Sequence, residues 1–311
     1  MQLRASLADR SPYRKFLIIV GLTLIGAVLS SSFAMALVRL LYGIDTGALL
    51  QPGMLSASPN SVAALRMFQG ISALGTFIFP AWMAAWFFSD DSLDYLGLVR
   101  GFHPTAGLLV FLLLLVGLPV INWMMELNAG LHLPAFMESL EHWMKTSEQQ
   151  AERLTEALLS GTTVVDLLAN LLVIALIPAI GEEIMFRGLL QRQFTELARN
   201  RHMGIVLTAV LFSAMHMQFF GFLPRFVLGL LLGYLYLWSR SLWLPVAAHF
   251  FNNAAAVLMT FLHKRNSLGF DPDTFGTGEG ERIIPLISGI GVVLMMGVLY
   301  RMLTRMRKSP E

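Results

Sequence analysis

Two adjacent carboxylates stand in Gly181-Glu182-Glu183-Ile184-Met185-Phe186-Arg187-Gly188, directly after the apolar run Leu171-Leu172-Val173-Ile174-Ala175-Leu176-Ile177-Pro178. Ionisable groups in such a setting are costly, and mark function by default. Glu183 and Arg187 are four residues apart, so on a helix they share a face and can pair. Glu182 is turned about 100° from its neighbour and can point into a bundle while Glu183 is neutralised. The same four-residue spacing recurs twice, in Phe212 and His216 and in His249 and Asn253. His249 and Asn253 can therefore address one point from successive turns. His103, His132, His142, His202 and His263 fall in loops or at helix ends, whereas His216 and His249 lie inside apolar runs. A carboxylate, two imidazoles and a carboxamide on three helices fit amide hydrolysis inside a membrane. The carboxylate can take a proton from water, an imidazole can orient that water or bind a metal, and the remaining donors can stabilise an oxyanion.

The elements that must hold these groups follow from composition. Of 311 residues, 56% are hydrophobic and only 14% charged, against about 25% charged in a soluble domain. The apolar residues fall into runs of about 20, long enough to cross a hydrocarbon core of ~30 Å. Lipid must then be the solvent for much of the surface. The expectation is an all-α, polytopic transmembrane bundle of about eight spans, near 16–38, 68–88, 105–125, 163–186, 204–222, 224–239, 242–262 and 283–303. The start of the sixth, beside Pro224, is poorly marked. Cysteine is lacking altogether, which excludes disulfides, thiolate metal sites and a cysteine nucleophile. The net charge of +2 says little about partners, and no nucleic-acid partner is expected.

Lys and Arg in short loops set orientation. With an inside N-terminus, the inside segments hold Arg4, Arg10, Arg14, Lys15, Arg100, Arg192, Arg199, Arg201, Arg240, Arg301, Arg305, Arg307 and Lys308. The outside segments hold fewer: Arg66, Lys145, Arg153, Arg225, Lys264, Arg265 and Arg282. Both termini are thus expected in the cytoplasm, and the plasma membrane is the expected location. Ala34-Met35-Ala36 resembles a signal-peptidase site, but the apolar run continues to Leu41, longer than a signal core needs, so an uncleaved first helix is expected. Residues 1–162 divide off as N-terminal transmembrane helices. They include an amphipathic extramembrane helix near 134–160, with Met137, Leu140, Trp143 and Met144 on one face and Glu138, Glu141, Glu148, Glu152 and Glu156 around it. Residues 163–262 hold the motifs. Residues 263–311 are a loop, flexible and rich in Gly and Asp over 266–282, and a last span. Gly229 and Gly233 form a small-xxx-small pair that lets another helix approach closely.

At its three motifs the chain resembles the CPBP family, the CAAX proteases, bacteriocin-processing enzymes and abortive-infection proteins. The family pattern is EExxxR, then FxxxH, then HxxxN or HxxxD, on separate transmembrane helices. Here these read Glu182-Glu183…Arg187, Phe212…His216 and His249…Asn253. They are in order and depart at no motif position, and the resemblance covers roughly residues 165–262. Leu242-Trp243-Leu244-Pro245-Val246-Ala247-Ala248-His249 also resembles the family's approach to its third motif.

The resemblance implies an intramembrane endopeptidase acting on a membrane-associated peptide or protein. It implies Glu182 as general base with His216 helping to activate the water, and His249 and Asn253 as oxyanion donors. Glu183, Arg187 and Phe212 are supporting groups. The family has been described both as metal-dependent and as glutamate-dependent. Glu182, His216 and His249 would be the ligands of a Zn²⁺ with an open fourth position. The glutamate mechanism, without a cofactor, is favoured because Asn253 is a poor zinc ligand and a good oxyanion donor. Two other classes compete: a non-catalytic immunity or binding protein of the same fold, and a transporter using buried Glu and His. Intact motif positions weigh against the first. Clustering at one site rather than along a path weighs against the second.

Overall fold

The structure, a computed structural model, describes residues 3–44, 59–278 and 280–306; Arg307 and Lys308 of the expected inside set lie outside the described residues. Nine helices longer than two turns follow one another among the described residues. They are α1 (Pro12–Tyr42), α2 (Asn60–Phe88), α3 (Pro104–Ala129), α4 (Glu138–Leu158), α5 (Val164–Ala198), α6 (Arg201–Ala214), α7 (Phe222–Ser239), α8 (Trp243–Lys264) and α9 (Ile283–Met306). No strand occurs among them. Seven helices are long and apolar enough to cross a membrane, all except α4 and α6; the stretch that ends in α7 counts from Phe219. The chain is an integral membrane protein built as a helical bundle.

The expected fifth span, 204–222, is the main departure. α6 is 14 residues long, or ~21 Å at 1.5 Å per residue, and falls short of the ~30 Å core. It ends where the chain reverses, at Met217, a non-glycine residue in the left-handed region (φ 53°). A 3₁₀ turn at Phe219–Gly221 follows, and α7 begins at Phe222. Pro224 lies in the first turn of α7, where its missing N–H has no intrahelical partner to lose. α5 extends beyond the expected 163–186 because Gln191–Ala198 continues it with an amphipathic polar turn.

Contacts sort the connections into two ends. At one end, Ala5 and Leu7 donate backbone N–H groups to the carbonyls of Trp86 and Phe87, and Leu242 donates to Gly97. There Trp243 Nε1 reaches the Leu98 carbonyl at 2.9 Å, and Trp238 meets Tyr300 ring to ring. At the other, Arg66 pairs with Asp166 at 2.7 Å, Lys264 reaches the Leu159 carbonyl and Asn128 the Phe219 carbonyl. The described chain therefore begins and ends at the same end of the bundle, the end that also carries Arg100, Arg192, Arg199, Arg201 and Arg240. The 266–282 loop is fastened at the opposite end, where Asn122 Nδ2 donates to the carbonyls of Pro272 and Phe275.

α1 and α9 are the outermost helices and the least buried of the spans. Leu24, Ile25, Val28 and Leu29 on α1 and Ile290, Val293 and Leu294 on α9 are more than half exposed, as lipid-facing side chains are. α1 crosses α2 at Gly26 and Gly75. A Cβ on Gly26 would stand 2.3 Å from the Gly75 carbonyl oxygen, so neither position tolerates a side chain without movement.

Three stretches of π-helix interrupt the α-helices, Leu74–Ile78 in α2 and Leu171–Leu176 and Ile184–Leu190 in α5. Each of the first two ends two residues before a proline, Pro80 or Pro178. Proline gives no N–H to the carbonyl four residues back and its ring crowds that carbonyl, so the turn widens. The third lies between Glu183 and Gln191 and contains Gly188, with no proline. π-bulges are frequent at functional sites, and Glu182 and Glu183 occupy the short α-helical stretch, Ile177–Glu183, between two of them.

Candidate active site

Glu183 is fully buried and its Oε1 accepts two hydrogen bonds, from Arg187 Nη1 at 2.7 Å and from His249 Nδ1 at 2.8 Å. Arg187 is equally buried. Its Nη2 donates to the Gly229 carbonyl at 3.1 Å, and its guanidinium carbon lies 4.8 Å from the centre of the Phe212 ring. A buried charge pair is sustained only when further hydrogen bonds satisfy its remaining donors and lone pairs. The Gly229 carbonyl and the Phe212 face supply part of this for Arg187, while its Nε and Glu183 Oε2 are buried without a hydrogen-bond partner among the described residues.

The approach that makes this reach feasible depends on two glycines. A Cβ on Gly229 would lie 3.0 Å from Ala209 of α6, and one on Gly233 would lie 2.7 Å from Ile205. The small-xxx-small pair of α7 thus accommodates α6. It also exposes two carbonyls four residues apart to two donors four residues apart on α5: Arg187 to Gly229, and Gln191 Nε2 to Gly233 at 3.2 Å.

Glu182 has a different environment. Its side chain is 13% exposed, and its Oε2 stands 4.0 Å from His249 Nε2, with no hydrogen-bond partner among the described residues. The two rings are fixed from behind. His249 is held at Nδ1 by Glu183. His216 Nδ1 lies 2.8 Å from the Phe212 carbonyl, which can only accept, so this nitrogen carries the proton and Nε2 of a neutral ring is left as an acceptor. The Phe212 ring stands between them, its centroid 5.1 Å from that of His216 and 5.7 Å from that of His249. Phe186 closes the cluster edge-on at 5.2 Å.

Asn253 lies one turn beyond His249. Its Nδ2 donates to the Ile174 carbonyl at 3.2 Å, and its Oδ1 accepts from Asn252 Nδ2 at 3.1 Å. One Nδ2 hydrogen remains after these bonds.

Glu182, Glu183, Arg187, Phe212, His216 and His249 are thus gathered around one point, and Asn253 borders it. The depths agree although His216 stands far along its helix and His249 near the start of its own. α6 starts with the α5–α6 turn at Asn200, beyond Gln191. α8 starts at Leu242, level with Gly97 and so with the far end of α7. Over ~1.5 Å per residue, the long path to His216 and the short one to His249 finish near Glu182. Ile174, Pro178, Asn252, Gly229 and Gly233 complete the setting and are absent from the motif pattern. The two matched four-residue spacings, and a proline four residues after Ile174, are the sequence signals for them.

Two of the atoms that a zinc centre on Glu182, His216 and His249 would share stand farther apart than zinc ligands do. Zn–N and Zn–O bonds of about 2.0–2.2 Å in a tetrahedron bring ligand atoms to about 3.4 Å, and Glu182 Oε2 and His249 Nε2 are 4.0 Å apart.

Comparison with known proteins falls on the same region. Residues 164–255 match the family described as "Rce1-like: Type II CAAX prenyl endopeptidase Rce1-like". "Uncharacterized protein YpbD" of Bacillus subtilis (strain 168) is 30% identical over 101 residues, which are 31% of this chain and 49% of that protein. The chain thus spans about half the length of that relative. No solved structure matches. Over the segment that holds all three motifs, the chain is similar to the type II CAAX prenyl endopeptidase Rce1-like family, a peptidase family, in line with what the motifs imply.

Proposed function

We propose that this chain is an intramembrane endopeptidase that hydrolyses a peptide bond in a membrane-associated peptide or protein, with Glu182 activating the water. The observation that carries the reading is the contrast between two adjacent carboxylates. Glu183 is held through Oε1 by Arg187 and His249, with only its Oε2 unpartnered, whereas Glu182 makes no hydrogen bond among the described residues and its buried Oε2 stands 4.0 Å from an imidazole nitrogen.

In this reading His216 Nε2 accepts a hydrogen bond from the water and orients it. Glu182 takes one of its protons as the oxygen attacks the scissile carbonyl carbon. The carbonyl π electrons move onto oxygen, and His249 Nε2–H and the free Asn253 Nδ2–H donate to the oxyanion. For this His249 must be doubly protonated, because Nδ1–H is already given to Glu183. When the tetrahedral intermediate collapses, the C–N bond breaks and Glu182 returns its proton to the leaving nitrogen. Arg187 and Phe212 hold the frame and do not touch the reacting atoms. No metal takes part in this scheme; a zinc ion on Glu182, His216 and His249 is the alternative, and Asn253, a poor zinc ligand and a good oxyanion donor, weighs against it.

The membrane is proposed to be the plasma membrane with the Arg-rich end toward the cytoplasm, on the positive-inside bias. The test is a comparison of membrane peptides from cells making the intact chain or Glu182→Gln. A peptide cleaved only with the intact chain supports the reading; identical peptide sets with both proteins present in the membrane overturn it.

A further inference from the structure

A cavity of about 550 Å³ opens at the Arg-rich end, on the far side of Gln191 from the candidate active site. Four arginines line it: Arg100 from the α2–α3 connection, Arg192 from α5, Arg201 from the start of α6 and Arg240 from the end of α7. The volume is within the ~300–1,000 Å³ of ordinary ligand sites. Arginines at a membrane–water boundary are common and by themselves mean little. These come from four separate chain segments and converge on one concavity.

Two carboxylates face these four arginines. Asp94 and Glu196 also line the cavity. Glu196 pairs with Arg192 at 3.4 Å, and the Arg192 guanidinium stacks on Tyr95 with its carbon 4.2 Å from the ring centre. Arg100 and Arg201 are exposed and make no side-chain hydrogen bond or ion pair among the described residues. Arg240 is the left-handed C-cap of α7 (φ 55°), where glycine is the ordinary choice and a Cβ carries a cost. The wall between them is tight. Gly97 (φ 75°) lies so close to Tyr236 that a Cβ there would stand 3.0 Å from the phenol oxygen.

Guanidinium forks match phosphate oxygens in pairs, and basic pockets between helices at a membrane boundary suit anionic headgroups. We propose that this cavity binds a phosphate-bearing ligand through Arg100 and Arg201, with Arg192 and Arg240 lining the same concavity. The phosphate is carried either by an anionic phospholipid headgroup or by a soluble phosphate ester. The proposal is independent of the peptidase reading, since it uses none of the active-site groups.

The experiment measures the Tm of the purified full chain in neutral detergent at constant ionic strength. The additions are phosphatidylglycerol, phosphatidylcholine, glycerol phosphate or inorganic phosphate. Phosphatidylglycerol is expected to raise Tm by mass action and phosphatidylcholine to leave it unchanged. R100Q/R201Q should weaken the half-saturating concentration roughly tenfold or more, as expected for two lost charge-assisted hydrogen bonds. R10Q/R14Q, which removes the same charge at the same end outside the cavity, should leave it unaltered. A response to phosphatidylglycerol alone assigns the ligand as a headgroup, and a response to the soluble phosphates as well assigns a phosphate group of either origin. No response in any arm, a response that survives in R100Q/R201Q, or one lost equally in R10Q/R14Q overturns the proposal. If the double variant does not accumulate, R201Q alone, at the exposed start of α6, carries the same comparison.

Discussion

Asn253 donates its side-chain amide to the carbonyl of Ile174 at 3.2 Å, the carbonyl that Pro178, four residues on, leaves without an α-helical donor. The carboxamide ties α8 to the widened turn of α5 next to Glu182. Asn253 thus has two duties in the proposed enzyme, as a donor to the oxyanion and as a partner for a backbone group.

The two duties separate in a double variant. Asn253→Ala is expected to lower kcat by about 10²–10³, the usual cost of one lost oxyanion donor, and to lower Tm, because a part-buried carbonyl loses its donor. Pro178→Ala restores an N–H within reach of Ile174. In Pro178→Ala/Asn253→Ala, Tm is expected to recover while kcat stays low. Recovery of both would mean that Asn253 acts through backbone support only. An unchanged kcat with a raised KM in Asn253→Ala would instead assign it to substrate binding.

A metal requirement is tested directly. Cleavage by the purified chain is expected to survive a strong chelator, with metal content well below one equivalent. A bound zinc ion would add binding free energy to folding, so chelation should leave Tm unchanged as well. Stoichiometric zinc together with chelator-sensitive, zinc-restored turnover would refute the glutamate mechanism and leave the peptidase assignment standing.

α4 offers a pH-dependent contact away from the membrane spans. Its Glu141 accepts from Lys145, His132 and the Leu133 N–H, and these bonds, with Lys145 the largest contributor, hold its carboxyl down at about 2. An unfolded Glu titrates near ~4.3. The contact therefore stabilises the 131–145 segment above about pH 4.3 and is lost as pH falls from there through about 2. The protection of the Leu133 amide against hydrogen exchange, relative to its intrinsic rate, should fall over that window, and Glu141→Gln should flatten the response. An acid response of the same size in Glu141→Gln would exclude Glu141 as its source.

Much of the bundle was legible from run length, because a ~30 Å apolar core dictates ~20-residue runs whatever the packing. α6 escaped that logic. Its sequence stays largely apolar through Met215–Gly221, but the helix stops at Ala214 and the chain reverses at Met217. The pairing of Glu183 with Arg187 follows from four-residue spacing, which places them on one face. That His249 also turns to Glu183 is a contact across α5 and α8 that no local spacing encodes. α4 reads in the sequence as a solvated amphipathic helix, yet it seats Glu148 on the Phe220 N–H at 2.9 Å and Trp143 against Phe219, just past His216. Its periodicity carries no information about that partner.

Topology is testable without background, since the chain contains no cysteine. Single substitutions Asp9→Cys and Ser267→Cys mark the two ends of the bundle at exposed positions. In intact cells a membrane-impermeant thiol reagent is expected to label Ser267→Cys and not Asp9→Cys until the membrane is opened. Labelling of both from outside would break the two-ended arrangement. Labelling of Asp9→Cys alone would invert the proposed orientation while leaving the fold intact.

Glu182 and Glu183 make the sharpest contrast, because they are adjacent and have opposite expected phenotypes. Glu183→Gln leaves the buried Arg187 charge without its paired carboxylate. Breaking a buried pair by removing one partner costs about 3–5 kcal/mol, so this variant should accumulate poorly and melt well below the intact chain. Arg187→Ala should do the same from the other side. Glu182 Oε2 has no hydrogen bond to lose, and an amide there removes a buried negative charge. Glu182→Gln should therefore match or exceed the Tm of the intact chain. Its activity should fall by about 10²–10⁴, the usual contribution of a positioned general base, with KM little changed. The measurements are Tm in detergent and steady-state cleavage of a defined peptide, for each variant side by side. A Glu182→Gln protein that fails to accumulate, beside a Glu183→Gln protein that folds but does not cleave, would reverse the two roles and move the base to Glu183.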